Sequence, residues 1–232
     1  MRAFKFLGLG SVGLFSGFEW PRPSGGEPAA WVEAGGPLEP CRVGVHAVPG
    51  SGLLDWMDDE LWRVELGGRV IDDNGILVAD RGRLMTRVVG WNADAAGGLT
   101  ATCIERLRGR AVHLLRRAGD PATAHRLDVA DRAEAGRIAL EPARVPDAMS
   151  GAVCAALADV TCLAVGSRPN SQAPPHPDTA PSPAAIAANV AYVVAHTLAA
   201  SDADMDHGAA FAAERARQLR WLADRLALNP RG

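Results

Sequence analysis

Lysine is almost absent from this chain of 232 residues: Lys5 is the only lysine among 24 basic residues, and the others are arginine. Together with the abundance of alanine, this bias is typical of a GC-rich genome and does not by itself indicate arginine chemistry. Acidic residues number 27, and the formal net charge is −3. Because a nucleic-acid-binding domain is normally basic, we expect no nucleic-acid partner.

Cysteine is also scarce, and the common catalytic motifs are missing. The four cysteines include no C-x-x-C pair, the spacing that zinc sites and disulfide frameworks usually show. We therefore expect reduced thiols, no metal site and a cytoplasmic protein. The sequence has no Gly-rich phosphate loop, Rossmann fingerprint, H-E-x-x-H or G-x-S-x-G segment. These absences argue against nucleotide hydrolysis, dinucleotide redox chemistry and serine hydrolase chemistry, and we expect no organic cofactor.

No long hydrophobic run predicts a membrane span. The N-terminal residues 1–15 are weakly apolar, but glycines interrupt them, so they do not predict a signal peptide. Residues 184–200 are the most apolar later stretch, yet they contain Asn189 and His196. This favours a buried helix over a span, and we expect no membrane partner.

The character of the sequence changes near Trp91, and the first part predicts strands. Alternating apolar runs at 60–71, 76–79 and 83–89 are separated by turn signals at 72–75 and 80–82, which predicts an antiparallel meander. Shorter patterns predict strands at 3–7 and within 38–48, and a helical turn at 51–57 capped by Ser51.

The second part predicts helices. Their apolar periodicity, with Asp120 and Asp147 as N-caps, indicates five of them, at 100–118, 120–140, 147–165, 184–200 and 209–227. The predicted fold class is α+β, with an antiparallel sheet in the N-terminal half and an Ala-rich helical C-terminal half. We divide the chain into a Trp-rich β domain (1–91), a helical region (92–167), a Pro-rich linker or loop (168–183) and a C-terminal helical pair (184–232).

Four segments resemble, as a set, a family of small uncharacterised proteins from high-GC Gram-positive bacteria: GFEWP at 17–21, CRVGVHAV at 41–48, DELWRVELGG at 59–68 and RGRL at 81–84. The segment ERARQLRWLADRLAL at 214–228 is similar to that family as well. The resemblance implies no particular activity. A weaker likeness links the Gly-x-His strand to ADP-ribosyltransferase-like folds, in which His46 would grip NAD. The usual catalytic set is missing here, because the only tyrosine, Tyr192, lies in an Ala-rich segment and no Ser-Thr-Ser occurs.

Cys41 and His46 form the first candidate site. A histidine beside a thiol can generate a thiolate nucleophile, and carboxylates follow at 55 and 58–60. However, residues five apart on one strand point to opposite faces, so the two would meet only across a bulge or turn. The alternative is a buried cysteine and a structural histidine.

A basic stripe forms the second candidate site. Arg106, Arg110, His113 and Arg117 recur at helical spacing on the face opposite the apolar one. Such a face could bind phosphate, sulfate or carboxylate through paired guanidinium contacts. The alternative is a solvated face with ion pairs to nearby acidic residues.

A polar stripe on the helix predicted at 184–200 forms the third candidate site. Asn189, Tyr192 and His196 share one face, and buried polar side chains require partners. They could line a pocket in which His196 is a general acid or base, with Cys154 as nucleophile and Asp159 nearby. The alternative is a polar stripe that faces water.

From these features we expect a ligand pocket between the Trp-rich sheet and the helical half. The leading hypothesis is a small-molecule-binding protein or a cofactor-independent enzyme that performs cyclisation, elimination or hydrolysis on a small metabolite. The expected catalytic residues are His46, His196, Cys154 and Asp159, and the expected substrate contacts are Trp56, Trp62, Asn189, Tyr192, Arg106 and Arg110.

Two alternatives from other classes stay open. The first is a non-catalytic interaction protein, an accessory subunit or a homo-oligomer, with Trp20, Trp31 and the segment around Pro174-Pro175 as its surface. The second is anion or nucleic-acid binding through the basic stripe, which predicts a steep dependence of affinity on salt.

Overall fold

A computed structural model describes residues 1–142, 147–165 and 181–228. It confirms the α+β class, with an antiparallel sheet in the N-terminal half and helices in the C-terminal half. The strands are β1 (Arg2–Leu7), β2 (Val32–Glu33), β3 (Val45–Ala47), β4 (Glu60–Asp73) and β5 (Ile76–Arg87). The helices are α1 (Ala93–Arg117), α2 (Pro121–Val129), α3 (Arg132–Ala139), α4 (Ala148–Ala164), α5 (Pro183–Ala200) and α6 (His207–Arg225).

The chain divides into two compact units. Unit 1 comprises Met1–Ala96, Pro183–Ala188 and Leu219–Gly232, and unit 2 comprises Gly97–Ser182 and Asn189–Gln218. Most of the predicted Pro-rich linker, including Pro174-Pro175, lies outside the described residues.

The hairpin of β4 and β5 organises the sheet of unit 1. Its turn forms as predicted: the N–H of Gly75 donates to Asp72 Oδ1 at 3.0 Å, and Asn74 takes the positive φ that asparagine tolerates. The predicted break at 80–82 is wrong, because β5 continues through it. Gly82 lies within this strand, and a β-carbon at this position would be 2.6 Å from Val45 Cγ1. Because glycine has no β-carbon, β3 can pack closely against β5 at this point.

The sheet of unit 1 closes on itself. β1 pairs with β4, β4 with β5, and β5 with β3. Phe4 and Val48 then exchange two backbone hydrogen bonds of 2.9 and 2.8 Å, which join β1 to the residue after β3. Because side chains alternate along a strand, Ala3 and Leu7 share one face of β1, and both belong to the apolar core cluster with Trp62, Val64, Leu66, Val45 and Ala47.

Capping residues explain where the helices differ from prediction. α1 begins before residue 100 because Asn92 Oδ1 accepts the N–H of Ala95 at 3.0 Å. The single helix predicted at 120–140 is wrong: it is interrupted after Val129, and Asp131 starts α3 by accepting the N–H of Glu134 at 2.8 Å. The predicted cap at Asp120 is confirmed, since its side chain accepts the N–H of Thr123.

The structure also tests the predicted caps at Asp147 and Ser51 and the predicted apolar helix at 184–200. Asp147 caps α4 as predicted, through the N–H of Ser150 at 2.7 Å. The predicted cap at Ser51 is wrong, because the turn there is a 3-10 helix, Gly50–Asp55, that follows Pro49 and has no side-chain cap. By length and composition α5 alone among the described helices could cross a membrane, and 39% of its residues are buried; a buried core helix meets the same criterion.

Candidate functional site

A basic cleft lies within unit 2 and has a volume of about 400 Å³. Four of its lining residues carry basic side chains and two carry carboxylates: Arg106, Arg110, His113 and Arg217, with Asp202 and Glu214. The apolar part of the lining is formed by Leu198, Met205, Ala210 and Ala213. This volume lies at the small end of the range for ligand sites.

The α1 side of the cleft follows from helical periodicity. Leu107, Ala111 and Leu114 are buried on the apolar face of α1. Arg106 and Arg110 are four residues apart, so they stand one turn apart along the helix, and both line the cleft. Three members of the predicted basic stripe, Arg106, Arg110 and His113, therefore line a concave surface, whereas its fourth member, Arg117, does not.

Glu214 on α6 fixes Arg106. The Glu214 carboxylate is only 4% exposed and accepts Nε of Arg106 at 2.8 Å and Nη2 at 2.6 Å, which is a bidentate pairing. Nη1 of Arg217 reaches the same carboxylate at 3.3 Å. One buried carboxylate thus holds two guanidinium groups at the edge of the cleft.

Arg110 is held differently, because its partner is neutral. Its Nε donates to Ser201 Oγ at 2.9 Å, and its Nη2 donates to the Ser201 backbone carbonyl. Among the residues that the structure describes, Arg110 makes no ion pair with a carboxylate. These hydrogen bonds use two of the five N–H donors of the guanidinium, and the side chain also lines the cleft.

The charges of the cleft leave a positive excess. The three guanidinium groups of Arg106, Arg110 and Arg217 outnumber the carboxylates of Glu214 and Asp202. A concave surface with an excess of guanidinium groups favours a small anion, because charge-assisted hydrogen bonds to carboxylate or phosphate are the strongest that arginine makes.

Cys103 lies on α1 within the same unit. It is 1% exposed, and burial first, with the Glu214 charge second, raises its pKa to about 12. The sulfur is therefore a protonated thiol at neutral pH and acts as a packing group.

The polar stripe of α5 forms an aromatic cluster. The Tyr192 and His196 rings are 4.5 Å apart between centroids, and the His196 ring is 4.4 Å from Phe211 and 5.5 Å from His207. Asn189 is exposed, and Tyr192 is 54% exposed. The structure thus brings together Tyr192 and His196, with His207 and Phe211 of α6 as neighbours that the sequence prediction did not include.

Cys154 and Asp159 belong to α4, which packs against α3. Burial raises the pKa of the half-buried Cys154 thiol, and the charge of Asp120 raises it further. A raised pKa opposes the thiolate form that a nucleophile needs. Asp159 is exposed.

His46 and Cys41 are in contact in unit 1, but the contact joins the His46 ring to the backbone N–H of Cys41 and not to its thiol. A turn over 39–43 lets the Cys41 N–H donate to Nε2 of His46 at 2.9 Å, while the Cys41 side chain is exposed. Burial, followed by the charge of Lys5, lowers the pKa of His46. His46 therefore stabilises the turn by accepting this hydrogen bond.

The two predicted tryptophan contacts have different surroundings in unit 1. Trp62 is 7% exposed, and its Nε1 donates to Glu60 Oε2 at 3.0 Å. Trp56 is half-buried and lines a second cavity of about 430 Å³ together with Ser51, Gly52, Asp55, Asn74, Gly75 and Ile76. Its ring also meets Phe15 edge to face.

Asp202, Glu214 and Arg217 line the cleft, and Ser201 holds Arg110, but none of the four was predicted from the sequence to lie there. Glu214 is 108 residues from Arg106 along the chain, so no local spacing links them. The only local signal is the Glu-x-x-Arg pair at 214 and 217, which places both side chains on one side of α6.

The described residues contain no group of three or more histidine, cysteine or acidic side chains that could hold a metal ion.

Comparisons with protein-family models, curated proteins and solved structures found no match for this chain. The resemblance to a family from high-GC Gram-positive bacteria therefore stays a prediction.

Proposed function

We propose that this protein binds a small organic anion, a carboxylate or a phosphate ester, in the cleft of unit 2. The observation that carries the proposal is Arg110, whose guanidinium lines a concave surface and has no carboxylate partner among the described residues. The leading hypothesis from the sequence was a protein that acts on or binds a small metabolite. The present proposal specifies that this metabolite is an anion.

The positions of the cleft groups support this proposal. Arg106 and Arg110 are each fixed by hydrogen bonds, to Glu214 and to Ser201 respectively. Groups that are held in place before binding lose less conformational entropy when a ligand arrives. His113 is exposed at the same wall and can add a further donor.

The alternative of a non-catalytic interaction surface named Trp20, Trp31 and the segment around Pro174-Pro175, which lies outside the described residues. All six tryptophans are buried or half-buried. Trp20 is 8% exposed, and Trp31 lies beneath the guanidinium groups of Arg81 and Arg83, at 4.8 and 4.6 Å from their centres. The described tryptophans thus do not form an exposed cluster that would support this alternative.

Calorimetric titration at low ionic strength tests the proposal, with inorganic phosphate, succinate and glycerol 3-phosphate as probes and glycerol as the neutral control. We expect at least one anion to bind and glycerol not to bind. Because a hydrogen bond to a charged group contributes about 1.5–3 kcal/mol, Arg110→Gln should weaken binding by roughly 10- to 100-fold.

Arg116→Gln is the matched control, since Arg116 also lies on α1 but pairs with Asp128 at 2.8 Å and does not line the cleft. It should change the affinity by less than about threefold, the size of a surface charge effect. Equal losses in the two variants, or no binding of any anion by the wild-type chain, would contradict the proposal.

A further inference from the structure

The basic cleft of unit 2 contains a carboxylate that no cation of the described residues neutralises. Asp202 lines the cleft and is half-buried, and it forms no ion pair within the part of the chain that the structure describes. By contrast, Glu214 in the same cleft pairs with Arg106 and Arg217. A charge that is partly removed from water is costly unless it is paired, so a cationic group of a ligand would stabilise Asp202.

The connection between α5 and α6 orients the Asp202 carboxylate. Its Oδ1 accepts the N–H of Asp204 at 3.1 Å, and the Asp202 N–H donates to the carbonyl of Ala199 at 3.3 Å. Since an ionised carboxylate has two acceptor oxygens, the hydrogen bond from Asp204 positions the group without using its second oxygen.

Arg110 and Asp202 carry opposite charges but do not pair with each other. Arg110 donates instead to the side chain and the backbone carbonyl of Ser201, which directly precedes Asp202. A guanidinium and a carboxylate are thus anchored at consecutive residues of one connection, and both line the cleft. This arrangement is complementary to a ligand that carries both an anionic and a cationic group.

The charge of the whole cleft narrows the ligand further. The three guanidinium groups of Arg106, Arg110 and Arg217 face the two carboxylates of Glu214 and Asp202, which leaves one positive charge in excess. An α-amino acid with a second carboxylate has one ammonium and two carboxylates, so its net charge matches this excess with the opposite sign.

The remaining lining residues fit such a ligand. Arg217 is 53% exposed and reaches Glu214 through Nη1 alone, so its fork of N–H donors faces the second carboxylate of a ligand at low cost. Leu198 and Met205 belong to the apolar part of the lining and cover the carbon skeleton between the charged groups.

We propose that the cleft binds an acidic α-amino acid, whose ammonium group pairs with Asp202 while its carboxylates pair with Arg110 and Arg217. This inference rests on the anion site proposed above. It adds the residue by which the cleft distinguishes an amino acid from a dicarboxylate of the same length.

Calorimetric titration of the full chain with L-glutamate and glutarate tests this inference, since the two probes differ only in the ammonium group. If net charge alone determined affinity, the doubly negative glutarate would bind the positive cleft more tightly. We expect the opposite order at neutral pH and low ionic strength, with L-glutamate roughly tenfold tighter, because a charge-assisted hydrogen bond to Asp202 is added.

Asp202→Asn keeps an oxygen that can accept the Asp204 N–H but removes the charge, so it should abolish the preference for L-glutamate. Asp204→Asn is the matched control, because Asp204 lies in the same connection, is exposed and does not line the cleft. It should keep the preference. The comparison of the two probes on the wild-type chain stands even if Asp202→Asn does not fold.

The outcomes separate this inference from the anion site itself. Equal affinities of the wild-type chain for the two probes, or a preference that survives in Asp202→Asn, would overturn the assignment of Asp202 and leave the anion site intact. Failure of both probes to bind would overturn it as well. The anion site falls with it only if glycerol 3-phosphate and inorganic phosphate also fail to bind.

Discussion

Replacement of Glu214 by glutamine should lower stability and raise anion affinity at the same time. Glu214 is 4% exposed and is the common partner of Arg106 and Arg217. Breaking an ion pair whose two members are buried costs about 3–5 kcal/mol. The Arg106 side chain is 33% exposed and so regains water when it is left unpaired. We therefore expect Glu214→Gln to lower the free energy of unfolding by about 2 kcal/mol.

Urea denaturation measures this loss as a lower midpoint with an unchanged slope. Glu105→Gln is the matched control, because Glu105 pairs with Arg108 on the surface of α1 and is 45% exposed. An exposed pair of this kind contributes less than about 1 kcal/mol. Equal stability losses in the two variants would refute the ion-pair reasoning.

The same variant removes one of the two carboxylates that line the cleft. Its excess of positive charge then grows, while the glutamine Oε1 can still accept a hydrogen bond from Arg106 and keep it in place. Glu214→Gln should therefore bind glycerol 3-phosphate several-fold more tightly than the wild-type chain at low salt. If the affinity falls instead, the charge balance that we assign to the cleft is wrong.

Three further predictions concern burial. Lys5→Met should raise the free energy of unfolding at pH 7 by about 1–3 kcal/mol, because burial of the charged amine destabilises the native wild-type chain. Burial lowers the pKa of Lys5 from 10.5 to about 8, so the native chain binds fewer protons than the unfolded chain between these two pH values. The stability of the wild-type chain should therefore rise with pH over this range, and that of the variant should not. Thr161→Val should raise the urea midpoint by the equivalent of about 1 kcal/mol, because the buried Thr161 Oγ1 has no hydrogen-bond partner among the described residues; a lower midpoint would reveal a partner. In native protein, iodoacetamide should alkylate the exposed Cys41 well before Cys103, whose thiol is buried with a pKa of about 12; comparable rates by mass spectrometry would contradict this.

The sequence predicted the features that depend on neighbours along the chain. The Asp72–Gly75 turn and the caps at Asp120 and Asp147 form as predicted, because turn and cap preferences act within a few residues. The basic stripe of α1 was predicted for the same reason, since helical periodicity determines which side chains share a face.

Features that depend on distant residues were not predicted. The continuity of β5 past residue 80 depends on its pairing with distant strands, since Gly82 lies opposite Leu66 of β4 and Val32 of β2. The pairing of Arg106 with Glu214 depends on which helices pack together. Composition identified Lys5 as the only lysine, but its place on the core side of β1 becomes visible only with the register of the closed sheet.

The most direct test of the central claim is a nuclear magnetic resonance titration of the labelled chain with glycerol 3-phosphate. We predict that the backbone amide shifts that change will cluster at the lining segments of α1 and α6 and at 198–205, and that Arg110→Gln will need at least about tenfold more ligand to reach half of each change. Shifts that cluster instead around the cavity of Ser51 and Trp56, or an unchanged titration midpoint in Arg110→Gln, would contradict the assignment of the anion site to the basic cleft.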